Sequence, residues 1–360
     1  MRLVLRGGLI LLAVLFIVFL AALGYRAWRQ HDIARTLAID PKRGIDEALF
    51  VKIGGIDQAI QIRGEDRANP VLLVVHGGPG ISMIGLTTVF RPWEKSFTIV
   101  QWDQRGAGRT FGRNGGAAEA AQMTIDRMTR DGLELATYLC GHLHKRKIVL
   151  LGHSWGTVLG VRMVKQRPDL FAAYVATGEL VDKQLNERTS YDIVLGMARA
   201  AHNAQAVKEL GGIGPPPYKD LPTLLVQRKW LDVYDLASER DLISHMTPVV
   251  AFAPNYSLLD IYNAQRATPF SQQTLFAELN PFDSRKLGPD FAIPVFIFQG
   301  DKDLNTPTVL ARDYFAWIHA PSKEFVVIKD AGHSAIITRP DAFLAELVQR
   351  VRPVVQRNGG

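Results

Sequence analysis

Apolar and polar positions divide this chain into three regimes. From Gly7 to Leu23 no residue is charged, and 9–20 is almost wholly Leu, Ile, Val and Phe. That length reaches the lower limit for a helix crossing the hydrocarbon core of a bilayer. Arg2 and Arg6 precede it, and Tyr25 and Trp28 follow where interfacial aromatic residues sit. The expectation is an uncleaved single-pass membrane anchor over residues 1–24. The alternative is a signal peptide cut near Ala22-Leu23-Gly24, which leaves a secreted or periplasmic protein. Residues 25–48 are polar and read as a connector.

From residue 49 onward, short apolar runs alternate with helical periodicity. Leu49–Ile53 and Gln58–Ile62 flank Gly54-Gly55-Ile56-Asp57 and predict a hairpin. Val71–Val75, Phe97–Val100, Ile148–Leu151, Ala172–Ala176, Ile293–Phe298 and Glu324–Ile328 read as strands. Helical patterns fall near 125–143, 157–164, 307–318 and 340–351. Continuous apolar strands alternating with helices predict an α/β fold, a mostly parallel sheet with helices on both faces. Between residues 181 and 287 the strand signal disappears. Helical patterns at Tyr191–Ala204 and Thr223–Leu236, broken by Pro215-Pro216-Pro217-Tyr218, predict an inserted helical lid. The sheet domain is then split into 49–180 and 288–360.

Composition narrows this only slightly. The chain has 360 residues, of which 47% are hydrophobic, enough for a large core. The net charge of +7 is concentrated before residue 44, where Arg2, Arg6, Arg26, Arg29, Arg35, Lys42 and Arg43 face only Asp32 and Asp40. No basic run elsewhere argues for nucleic acid. The single cysteine, Cys140, excludes an internal disulfide.

The chemistry is concentrated at strand ends. Gly152-His153-Ser154-Trp155-Gly156 joins an apolar run to a helical pattern, the setting of a nucleophile elbow. The turn strains the serine backbone, requires small flanking residues, and exposes the hydroxyl at the positive end of a helix. A nucleophilic Ser154 needs a base and an acid. The strand 293–298 leads to Gln299-Gly300-Asp301-Lys302-Asp303, and 324–328 leads to Lys329-Asp330-Ala331-Gly332-His333. Serine, acid, histidine is the chain order this architecture uses. His333 is therefore the expected base. Asp303 is the expected acid, because Gly-x-x-Asp gives the carboxylate reach; Asp301 and, more distantly, Asp330 are alternatives. His153 is expected to turn away from the nucleophile and to be structural. The oxyanion donors are expected to be the amides of Trp155 and of Gly78, or else Gly77, in the glycine loop His76-Gly77-Gly78-Pro79-Gly80.

Together with Asp103-Gln104-Arg105-Gly106-Ala107-Gly108-Arg109-Thr110, these motifs make the chain resemble the α/β-hydrolase superfamily and, within it, the proline iminopeptidase branch. The resemblance spans about 49–351 and is weakest in the lid. It implies an α/β-hydrolase fold, a structural role for Asp103, and release of N-terminal proline from peptides. It also implies lid carboxylates that bind the substrate's free amine; Glu179, Glu187 and Glu239 are the candidates. The lid lacks the tryptophan-rich segment ending in glutamate that the branch carries, and Trp230 stands alone near Arg228 and Lys229.

The sequence thus predicts a membrane-tethered serine hydrolase working through an acyl-enzyme, with no cofactor, no metal and no nucleic-acid partner. An aminopeptidase is the first expectation. An esterase, amidase or lactonase on a small apolar substrate is the second, and a silent binding protein on the same scaffold is a remote third. Epoxide and haloalkane hydrolysis are disfavoured, because they use an aspartate where Ser154 stands.

Overall fold

The computed structural model describes residues 2–239 and 242–357, and side chains within 6–235 and 246–357. Eight strands form one sheet: β1 (Ile45–Ile53), β2 (Ile56–Gly64), β3 (Val71–Val75), β4 (Thr98–Trp102), β5 (Ile148–His153), β6 (Phe171–Thr177), β7 (Val295–Gly300) and β8 (Lys323–Ile328). Their spatial order is β1-β2-β4-β3-β5-β6-β7-β8. The hairpin β1–β2 and the β2–β4 pair are antiparallel; every pair from β4 to β8 is parallel. The expected mostly parallel sheet is therefore present, with an antiparallel edge.

Alternation along the strands builds a core on each face. Val71, Leu73 and Val75 of β3, with Ile148 and Leu150 of β5, belong to one buried cluster. Leu72, Val74, Val149 and Leu151 belong to another, with Phe90, Trp93 and Phe343. Each such buried side chain contributes about 1.5–3 kcal/mol, so both faces must be covered. The principal helices are α1 (Arg2–Thr36), α2 (Ile125–His142), α3 (Trp155–Gln166), α4 (Lys183–Ala200), α5 (Ala204–Ile213), α6 (Leu221–Glu239), α7 (Leu242–Ala251), α8 (Leu258–Leu279), α9 (Thr308–Trp317) and α10 (Pro340–Glu346). Thr124 starts α2 by accepting the Arg127 N–H at 3.1 Å, and the helix then buries Met128, Leu135 and Leu139 against the sheet.

Between β6 and β7 the described residues form helices α4 to α8 and no strand. Tyr191, Val194, Ala198, Leu210, Trp230 and Leu231 give this insertion a small core of its own. Trp230 also donates to Glu209 at 2.8 Å.

The N-terminal segment differs from the sequence expectation. Residues 25–48 are not a plain connector: α1 continues to Thr36, and β1 begins at Ile45. Residues 6–36 are long and apolar enough to cross a membrane or to serve as a signal sequence, and the apolar stretch is unburied.

Candidate active site

Strand β5 ends at His153, and α3 begins at Trp155. Ser154 alone makes the turn, with φ 55° and ψ −120°. A positive φ costs a side-chain-bearing residue of order 1–3 kcal/mol and persists only where the surroundings enforce it. Those surroundings are crowded. A Cβ on Gly152 would lie 2.8 Å from the Gly156 carbonyl oxygen, and one on Gly156 would overlap the Val75 carbonyl. The flanking glycines are thus a steric requirement of the turn.

Three strand ends converge on this turn. His333 Nε2 lies 2.9 Å from Ser154 Oγ, and His333 Nδ1 lies 3.1 Å from Asp303 Oδ2. An ionised carboxylate can only accept, so Nδ1 carries the proton and Nε2 faces the hydroxyl with a lone pair. Asp303 follows β7 and His333 follows β8. Asp303 is itself tightly held: it accepts from Gln299 Nε2 (2.8 Å), Thr306 Oγ1 (2.7 Å), Thr306 N (2.8 Å) and Asn305 N (2.9 Å). The other two acids take different places. Asp301 Oδ1 accepts the Ala331 amide at 3.2 Å, bracing the histidine loop. Asp330 is exposed and pairs with Lys302 at 2.8 Å. His153 reaches the histidine loop, where Nε2 meets the His333 carbonyl oxygen at 3.2 Å. Burial, with the nearby His333, lowers its pKa to about 3, so it donates there as a neutral ring.

The glycine loop after β3 lies against the nucleophile. A Cβ on Gly77 would stand 3.1 Å from Ser154 Cβ, and Gly78 has φ 118°. Burial lowers the His76 pKa to about 4. Its unprotonated Nε2 accepts the Gln104 amide (3.3 Å), while Nδ1 donates to Gly77 O (2.9 Å). Gln104 also accepts the Trp155 indole N–H at 2.9 Å. This network joins the glycine loop, the loop after β4 and the start of α3. Trp155 N is a first-turn amide, which no intrahelical acceptor can satisfy. Asp103 is wholly buried, accepts the Arg109 amide at 2.8 Å, and burial raises its pKa to about 6. It braces its own loop and lies apart from the His333 contacts.

The expected amine-binding acids are placed otherwise than the sequence suggested. Glu179 is buried behind β6 with Tyr174 Oη 3.4 Å away, and burial raises its pKa to about 8, so it is protonated at neutral pH. Glu187 is buried between Lys183 and Arg228 and pairs with both. Burial pushes its pKa up, but Arg228 and Lys183 together outweigh it and the value falls. Its charge is already matched twice over. The Glu239 side chain lies outside the described residues. One acid of the insertion was not singled out in the sequence. Asp232 on α6 is exposed at the surface, and burial of its carboxyl raises the pKa, against the charge of Arg228 and of His333 once that ring is protonated. A lone acid in a helix carries no local signature that would have singled it out.

A surface cleft of about 440 Å³ lined by Lys147, Phe171 and Pro294 sits at the opposite ends of the strands. In open α/β sheets ligands bind at the other, carboxyl ends of the strands.

Residues 70–340 match the family model described as the alpha/beta hydrolase fold. The chain belongs to the α/β-hydrolase fold family. Within this family it is similar to the probable aminopeptidase YbaC of Bacillus subtilis (strain 168), 28% identical over 318 residues, covering 87% of this chain and 99% of the relative. Among solved structures, a proline iminopeptidase-related protein from Thermus thermophilus superposes with TM-score 0.63 at 19% identity, covering 87% of this chain and 99% of that one. A membrane phospholipase A, described as a bacterial virulence factor, superposes with TM-score 0.55 at 16% identity and covers 99% of both chains. These structural likenesses are likenesses of fold. In sequence the chain is thus similar to a probable aminopeptidase and, at 22% identity over 306 residues, to the proline iminopeptidase of Heyndrickxia coagulans, covering 82% of this chain and 95% of that relative.

Proposed function

We propose that this protein is a membrane-anchored serine hydrolase that acts through an acyl-enzyme, and that its substrates are peptides with a free N-terminal residue. The observation that carries the reading is the continuous relay from Asp303 through His333 to Ser154 Oγ, with spans of 3.1 and 2.9 Å, on a strained turn. In this reading, Ser154 Oγ attacks the substrate carbonyl as its proton passes to His333 Nε2. Negative charge collects on the carbonyl oxygen, which the amides of Trp155 and Gly78 receive. One such donor is worth about 10²–10³ in rate. Collapse of the intermediate breaks the C–N bond, and the leaving amine takes its proton from His333. Water then hydrolyses the ester to Ser154 by the same route in reverse.

The peptidase reading is supported by the full-length similarity to a probable aminopeptidase, and Asp232, an exposed acid on α6, is its candidate amine receptor. In this role Asp232 receives the substrate's ammonium group, in place of Glu179 and Glu187. A second reading, an esterase or amidase, is favoured by the protonated state of Glu179 and the double pairing of Glu187. Turnover of prolyl chromogenic substrates with free and blocked amines, beside short acyl esters, separates the two. Strong preference for the free amine supports the peptidase. Equal rates on free and blocked substrates support the esterase or amidase. Anchoring is supported by the unburied apolar stretch within residues 6–36 and predicts retention in the membrane pellet after a high-salt wash.

A further inference from the structure

Helix α1 does not leave the apolar stretch as a free stalk. Beyond it, Leu23, Arg26, Arg29, Gln30 and Ile33 are partly covered, a three-and-four spacing that marks one face of the helix. That face docks on the insertion. Arg26 donates to Ala251 O at 2.9 Å and to Tyr256 O at 2.5 Å. Gln30 donates to Ala253 O at 2.7 Å and to Tyr256 O at 3.2 Å. The Tyr25 ring meets Phe252 edge-on with centroids 5.8 Å apart, and the Arg29 guanidinium lies 5.7 Å from the Phe252 centroid. The rise of about 1.5 Å per residue puts Arg26 about 4.5 Å along the axis from Leu23, the last residue of the apolar stretch. The segment 251–256 is therefore fixed at the height where a spanning helix leaves the hydrocarbon.

Apolar side chains surround this point without protein to cover them. Leu258, Leu259 and Tyr262 lie in the first two turns of α8, two to six residues after Tyr256, and each is half exposed or more. Tyr25 and Trp28 on α1 are equally exposed. The docked segment and the helix that follows it also reach elements around the candidate site. Tyr256 packs with Ile84 and Ala59, and α8 reaches the glycine loop through Thr268 Oγ1, which donates to Gly80 O at 3.1 Å.

We infer that Tyr25, Trp28, Leu258, Leu259 and Tyr262 form one membrane-interfacial surface, occupied by the bilayer that α1 spans, which holds the insertion in the headgroup layer beside the site. The inference rests on the anchor reading above. Its physical basis is continuity: the rod that enters the bilayer is bonded at its exit to the segment that presents the apolar turn. Amphipathic aromatic rings and leucines at that depth gain by leaving water.

The test uses the full chain in vesicles of phosphatidylcholine and phosphatidylglycerol. Cysteines at Leu12 or Leu259, in a Cys140→Ser background, carry an environment-sensitive fluorophore, and the vesicles contain spin-labelled phospholipid as quencher. Circular dichroism checks each variant's fold, and Tyr262→Cys replaces Leu259→Cys if the latter fails that check. The proposal predicts blue-shifted, quenched emission at both Leu12 and the α8 position. Quenching at Leu12 alone overturns the interfacial surface and leaves the anchor standing. Quenching at neither overturns both.

Discussion

His333 Nε2 approaches Ser154 Oγ to 2.9 Å although the two residues are 179 positions apart. The sheet order explains it: β5 and β8 are separated by β6 and β7, all four parallel, so their carboxyl ends open on one edge. Asp303 completes the line from the end of β7.

The anchoring of Asp303 leads to the first prediction. Asp303→Asn removes the acceptor that fixes the histidine tautomer, and kcat should fall by about 10⁴-fold. Thr306→Val removes one hydrogen bond to the charged carboxylate, a loss of about 1.5–3 kcal/mol. Its thermal midpoint should fall by several degrees, and kcat/KM should fall with it as Asp303 loses part of its support. Full activity in Thr306→Val would show that this support is dispensable.

The acids of the insertion separate by role. Asp232→Asn should raise KM for free-amine prolyl substrates and leave blocked substrates unchanged. Glu187→Gln should instead lower stability by about 3 kcal/mol, because it removes the charge that matches the buried Lys183 and the partly buried Arg228. Its free-to-blocked preference should not change. The opposite assignment of effects, read from steady-state kinetics and thermal melts, would return amine recognition to Glu187.

Glu179 gives a pH signature. Its folded pKa of about 8 lies above the ordinary 4.5, so the folded chain holds this proton more tightly than the unfolded chain does. Between pH 4.5 and 8 the unfolded state releases the proton first, and rising pH costs stability, by a few kcal/mol in total. Glu179→Gln has no proton to lose. Its melting temperature should match the parent near pH 4.5 and exceed it increasingly up to pH 8. Parallel melting curves across that window would exclude the effect.

Gly178 has φ 59°, and a Cβ there would lie 2.8 Å from His333 Cε1. Gly178→Ala should displace the imidazole and cost about 10² in kcat/KM, the penalty of a small misplacement at a reacting centre. An unchanged rate would mean the ring has room to move.

Much of the fold could be read because burial on both faces leaves plain apolar runs: the expected strand at Val71–Val75 coincides with β3. Ser154, Asp303 and His333 were legible because each follows such a run. What stayed hidden depends on partners far along the chain. The neutralisation of Glu187 needs Arg228, 41 positions away. The docked half of α1 mixes Arg26, Arg29 and Gln30 with Leu23 and Ile33, so its contact face shows no apolar periodicity and reads as a polar connector.

The most direct test of the central claim is mass-spectrometric mapping of a fluorophosphonate adduct on the full chain. The account predicts one adduct, on Ser154, and none on Ser154→Ala under the same conditions. An adduct on another residue, or undiminished labelling of Ser154→Ala, would contradict it.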